Sequence, residues 1–315
     1  SHASTGTVAI GSKALTALTT GAGNIAIGYQ AGDAMTTTGS TVSVGYQAGS
    51  AMNHTDADGT VAVGYRALQD CTSGASNVAI GLNALKEITT QANNVAVGRE
   101  AGASLTAADC IAIGKRALYV HTTGARNIAI GTGAMDDTDA NDCPTSIDNI
   151  FVGYDAGGGT WTTDDSNYNV GIGNYVMDAA MNGALGNTAL GHLSLSALTT
   201  GNYNVALGYG CLGAANSESN NVAIGYLALR DLTGGYSTNV AIGYRAGLEL
   251  TNASSNIFIG GDAGRESVSG ANNVAIGLNA LSNTTTALDN VSIGYGSMGA
   301  IPSGQAVQHC VAIGR

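Results

Sequence analysis

Asn221-Val222-Ala223-Ile224-Gly225 and Asn273-Val274-Ala275-Ile276-Gly277 are two copies of a pentapeptide that recurs along the whole chain. Asn24-Ile25-Ala26-Ile27-Gly28 and Asn77-Val78-Ala79-Ile80-Gly81 are two more. Eighteen such stretches close on a glycine, from Gly11 to Gly314, most often 17 residues apart and within a range of 16 to 22. A fixed period of this size marks a stacked repeat in which no single unit can bury its own apolar face. It is too short for a helical repeat.

Within the pentapeptide two β-branched residues flank one small residue, the period-two pattern of a strand whose faces meet different surroundings. The position three before the glycine is Val or Ile in 17 of 18 copies, Thr188 being the exception, and the position just before it is Val or Ile in 16. Between them stands Ala in 13 copies, Ser43 and Ser292 in two, Phe151 and Phe258 in two, and Gly171 in one. This pattern suggests that the bulky face fills the inside of a coil, while the small face lets another backbone come close. The stretch after the glycine, as in Tyr65-Arg66-Ala67-Leu68 and Tyr244-Arg245-Ala246-Gly247, reads as a second short strand beyond a glycine corner. Turn formers such as Thr-Thr-Gly-Ala-Gly at 19–23 close the coil. The expected fold is all-β, a parallel β-solenoid of about 18 coils. It forms one repeat domain over residues 1–315, with irregular coils at 132–172.

Composition excludes several other classes. The chain of 315 residues has 47 glycines but only 2 prolines, 2 phenylalanines and 1 tryptophan, with 10% charged residues, the reverse of a disordered chain. No Gly-x-y triplet persists, so it is not collagen. No run of about 18 apolar residues exists, so no membrane insertion is expected, and the opening residues do not read as a signal peptide. A net charge of -11 opposes nucleic-acid binding, which needs clustered Lys and Arg. Each coil carries few large aliphatics to offset the entropy of ordering its residues. Side-by-side association is therefore expected, as a homotrimer with lines of Ala and Ser at the contact.

The unit Asn-x-Ala-Ile-Gly followed by an Ala resembles the head repeats of trimeric autotransporter adhesins. The longer form Gly-Tyr-x-Ala-Leu-x-x-x-Thr-Thr-Gly looks more like the tandem repeats of bacteriophage tail fibres. The resemblance runs from Val8 to Gly314 and implies a left-handed parallel β-roll in a three-chain bundle. It implies a structural fibre or adhesin segment, outside the cell in a virion tail fibre or on a cell surface, whose partner is a host-surface glycan or protein. A 17-residue coil is longer than the usual autotransporter head repeat, which favours the tail fibre. The alternatives are the head of a bacterial trimeric adhesin and an ice-binding or purely structural filament. A hexapeptide-type acyltransferase helix would need an aliphatic at every sixth residue, which this sequence lacks.

Asn fills the position four before the glycine in 13 of 18 copies, including Asn77, Asn94, Asn127, Asn204 and Asn239. Stacking would align these into a structural amide ladder beside glycines such as Gly81, Gly98 and Gly225. Thr recurs eight residues after many glycines, as at Thr19, Thr36, Thr199 and Thr251, either as turn residues or as an exposed ice-ordering row. Intervals of 22 and 20 residues follow Gly131 and Gly153, so loops are expected there, and loops on rigid scaffolds carry recognition. The second holds Trp161, Asp164, Asp165 and Tyr168, an aromatic platform beside carboxylates that suits a sugar ring; the alternative is that Trp161 covers a coil edge. In the first, Asp137, Asp139 and Asn141 have calcium-loop spacing with Asp148 at the twelfth place, although Asp142 stands where a turn glycine belongs. No cofactor is expected beyond calcium at this loop. Five cysteines without a C-x-x-C pair indicate neither a disulfide framework nor a zinc site. The five histidines fall at unrelated phases, no catalytic set assembles, and no enzyme is expected.

Overall fold

The computed structural model describes residues 5–138, 145–234, 237–299, 301 and 306–315. The chain divides into two compact units, Ser1–Asp165 and Ser166–Arg315. In the first, every pentapeptide forms a three-residue strand, from Val8–Ile10 to Ile150–Val152. Each strand pairs in parallel with that of the next repeat at equivalent positions, Val8 opposite Ile25, Ile25 opposite Val42 and Val61 opposite Val78. The second unit repeats the arrangement from Val170–Ile172 to Val311–Ile313, with Val205 opposite Val222 and Val222 opposite Val240. Each unit holds nine of these strands, and the only helical turn among the described residues is Thr55–Ala57. The protein is an all-β parallel β-solenoid. Longer intervals do not disturb the stack, since Ile128 still faces Ile150 across the 22-residue interval.

The closing glycine is dictated by how near the coils lie. Gly28 and Gly225 have φ of +137° and +129°, and a Cβ on either would lie 2.3 and 2.4 Å from the carbonyl oxygen of the glycine in the next coil. A side chain is excluded twice over, by torsion and by contact with a backbone that cannot move aside.

The two strand faces are the reverse of the sequence expectation. Ala26, Ala62, Ala79, Ala206 and Ala223 point inward and are fully buried, whereas the flanking aliphatics point outward, Ile25 and Ile80 being 37% and 41% exposed. The reason lies across the narrow coil. Buried Leu68, Leu85, Met135 and Leu229 enter from the turns and occupy the interior, leaving room opposite for little more than a methyl group. Lines of Ala and Ser thus cannot form the contact between neighbouring copies.

The stretch after the glycine is also not a strand. It is a run of turns with non-glycine residues in the left-handed region, such as Arg66 and Leu68 at φ 55° and 49°. That conformation is uncommon without glycine, and here neighbours on both sides hold it. The Arg66 N–H donates to the Tyr46 carbonyl at 2.9 Å in the coil before, and the Leu68 N–H to the Ala84 carbonyl at 3.0 Å in the coil after. A second parallel sheet does form in the second unit, from Ser269–Ala271, Thr286–Leu288 and Ala306–Gln308, in the segment leading into the Asn position.

Interior volume is balanced between strand and turn in the Phe coils and most Ala coils; Ala26 with Gly32, Ala96 with Gly102 and Ala241 with Gly247 are small at both places, and there Met35, Leu105 and Phe258 approach the glycine. Where the inward strand residue is Ala, the fourth residue after the glycine is usually a buried Leu, as in Ala79 with Leu85 and Ala275 with Leu281. Where it is Phe, that residue is Gly: Phe151 with Gly157, and Phe258 with Gly264. A Cβ on Gly157 would come within 2.9 Å of the Phe151 ring, and one on Gly264 within 2.7 Å of Phe258.

Candidate functional site

The expected sugar platform does not exist in the form the sequence suggested. Trp161 is fully buried, its indole N–H donates to the Gly157 carbonyl at 3.0 Å, and its ring meets Phe151 edge-on with centroids 6.0 Å apart. It fills the coil that Phe151 begins to fill, so it offers no face to a ligand beside Asp164 and Asp165. Asp165 accepts a hydrogen bond from the Thr145 hydroxyl, and in the second unit Tyr168 is exposed at φ 61°. The buried role was foreshadowed by Phe151 at an inward position with Gly157 making space.

Of the calcium candidates, Asp139 and Asn141 lie outside the described residues. Asp137 accepts from the Thr160 hydroxyl at 2.6 Å. Asp148 receives Nε and Nη2 of Arg126 at 2.7 and 2.8 Å, and that paired guanidinium holds its carboxyl below the usual range. Among the described residues no group of three or more His, Cys, Asp or Glu could hold a metal ion.

The Asn positions do assemble, as structure. In the second unit Asn187 donates its backbone N–H and its amide to Asn169 Oδ1, both at 3.0 Å. Asn204, Asn221, Asn239, Asn256, Asn273 and Asn290 continue the ladder in the same way. The first unit has shorter runs, Asn77 to Asn94 and Asn127 to Asn149, with the Cys110 N–H donating to Asn94 Oδ1 at 2.9 Å. Each amide also reaches a main-chain carbonyl, as Asn204 does at Glu218 at 2.7 Å, so carbonyls of the return segment that point into the coil are satisfied. The Thr row serves the stack too. Thr19, Thr36 and Thr251 donate their hydroxyls to carbonyls of the next coil at 2.7, 3.1 and 2.9 Å. Each of these exposed hydroxyls spends its one proton on the stack and keeps its acceptor lone pairs. Cys71, Cys110 and Cys211 are buried free thiols, and burial pushes Cys110 up to about 11. Cys143 lies outside the described residues.

What sequence reasoning missed is the outward surface. In the first unit Val8, Ile10, Ile25, Ile27, Ile80 and Ile113 belong to one exposed apolar row, and in the second Ile172, Leu190, Ile242, Ile257 and Ile276 do the same. None of the outward strand positions carries a charge. Next to the row, tyrosines that follow the closing glycines stack coil upon coil. Tyr29, Tyr46 and Tyr65 have centroids 5.3 and 5.1 Å apart, and Tyr209, Tyr226 and Tyr244 are each separated by 5.4 Å. Arg66 and Arg245 lie 5.1 and 4.8 Å from the rings of Tyr65 and Tyr244, within cation–π reach. No family model matches this chain, and no curated protein matches it.

Proposed function

We propose that this chain is a segment of an attachment fibre of the bacteriophage tail-fibre kind. Three copies associate through their outward Val and Ile rows, and the assembly presents its remaining faces to a host-surface glycan or protein. The supporting observation is the row itself: within each unit the coils add two aliphatics apiece to an uncharged strip, Thr188 being the one exception, and contiguous exposed apolar strips on soluble proteins mark interaction sites. A second and third copy of this chain match it because they repeat the same apolar row at the same pitch, and a threefold axis closes the contact without leaving an open edge. Burying a square ångström of apolar surface is worth about 25 cal/mol, so small gains per coil accumulate along the stack. The reading has no catalytic step and places the protein outside the cell.

Light scattering on the purified chain at low and high salt tests the assembly. A mass near three chains at both ionic strengths is expected, because apolar contacts are not screened. A monomer at all concentrations would overturn it. Attachment is tested by retention of the labelled chain on bacterial cells and its release by their isolated surface glycan.

A further inference from the structure

On the turn face, the residue two after the closing glycine is left-handed and usually carries a half-buried side chain, as at Gln30, Gln47 and Arg66. Three coils have glycine there instead, Gly133, Gly210 and Gly296, and a notch opens at each. The Gly210 notch is the largest, about 490 Å³, and Gly213 widens it. Leu193 and Leu227 and the edges of Tyr209 and Tyr226 supply its apolar walls, and Arg230 and Asp231 stand at one side. Arg230 gives Nε and Nη2 to the Asp231 carboxylate at 2.6 and 2.7 Å, yet the two side chains remain 42% and 32% exposed.

The other two notches repeat this chemistry. The Gly133 notch, about 160 Å³, has Lys115 and Arg116 balanced by Asp136 and Asp155. The Gly296 notch, about 320 Å³, has Arg265, itself paired with Glu266, beside Asn279, Ser282 and Asn283. In all three, an open polar groove holds a neutralised guanidinium with donors and acceptors side by side. A phosphate or carboxylate ligand would meet no uncompensated positive charge. Vicinal hydroxyls, each both donor and acceptor, match a paired Arg and carboxylate well, and the C–H edge of a pyranose matches leucine and the tyrosine edges.

We propose that the Gly210 notch binds one unit of a neutral oligosaccharide, with the Gly133 and Gly296 notches as weaker sites of the same kind. The site deepens the attachment reading and rests on it for its biological setting. A shallow, open groove binds each unit weakly, in the millimolar range, and gains through repetition over copies of the chain.

The test is saturation-transfer NMR and titration with neutral hexose oligomers, namely gluco-, manno- and galacto-oligosaccharides, against an anionic oligogalacturonate. The blocking variant is Gly210→Gln. The fold accepts glutamine at this phase, since Gln30 and Gln47 hold it at φ 54° and 53°. A new Cβ would meet only the end of the Leu227 side chain, at 2.7 Å. A second variant, Arg230→Gln with Asp231→Asn, removes both charges, Asn keeping the outline of the carboxylate and Gln leaving an amide donor on a shorter side chain. At least one neutral oligomer is expected to bind the unaltered chain, with affinity falling about tenfold or more in each variant. Failure of every neutral oligomer to bind, undiminished binding by Gly210→Gln, or tighter binding of the anionic oligomer would each overturn the proposal. Mass measured on the same samples separates the two readings: a trimer that binds no sugar overturns the notch alone. A monomer whose sugar binding is lost in Gly210→Gln supports the notch and overturns the association.

Discussion

Gly225 shows what a single residue contributes to the stack. Its replacement by Ala puts a methyl 2.4 Å from the Gly243 carbonyl oxygen at a φ of +129°. Overpacking of this kind costs about 1–3 kcal/mol, and the torsional strain adds a similar amount. Gly225→Ala should therefore lower the thermal midpoint followed by circular dichroism by several degrees. Gly314→Ala, at φ +131° but with nothing within 4 Å, isolates the torsional part and should cost clearly less. Cys110 gives a pH dependence. Burial raises its thiol from 9.0 to about 11 against the opposing pull of backbone hydrogen bonds at Asn127 and Arg126, so the unfolded chain ionises first. The stability it contributes is complete below pH 9 and is lost as pH rises through about 11, on the order of 3 kcal/mol. Denaturant titrations across that window should show a shallower decline for Cys110→Ala than for the parent, with Cys71 and Cys211, shifted the same way, keeping some slope. The glycine and asparagine positions were legible because each repeats at one phase. Trp161 was not, because the 20-residue interval around it hides which phase it occupies.

Within one coil, strand and turn are matched by volume. Phe258→Ala should cost about 3–5 kcal/mol as a large-to-small change at a fully buried site. Adding Gly264→Leu should recover a substantial part, because the pair then equals Ala275 with Leu281 of the next coil, and Leu281 already adopts φ 52° where Gly264 has 61°. Thermal melts of the two single variants and the double variant decide it, and equal or greater loss in the double would refute the complementarity. The strand was readable from Val-Ala-Ile alone. Its orientation was not, since alternation reports two unlike faces without saying which looks inward. The turn was misread for a related reason. Tyr-Arg-Ala-Leu alternates like a strand, but here the alternation comes from left-handed residues at every second position, Arg66 and Leu68 among them.

For the whole molecule the reversal of the strand faces matters most. Bulk directed outward leaves each unit with a core of Ala, Leu and Met and an apolar exterior row, so the proposed association falls to a different surface from the Ala and Ser lines first expected. If that row is the contact, Ile242→Lys together with Ile276→Lys, each replacing a side chain 37% exposed, should convert the trimeric mass to single chains. Neither change touches a buried group, so the far-ultraviolet strand signal of the released chain should persist. An unchanged mass would place the contact elsewhere.

The rungs of the asparagine ladder carry a last implication, for heredity. Asn204 binds Asn187 just as Asn221 binds Asn204, so removing the 17 residues between equivalent positions would present Asn221 to Asn187 with the same bonds available. Along this ladder an in-frame duplication or deletion of one 17-residue coil meets equivalent partners on either side. Such a gene can change the length of its product in steps of one repeat, and selection on reach is then free to act apart from selection on folding.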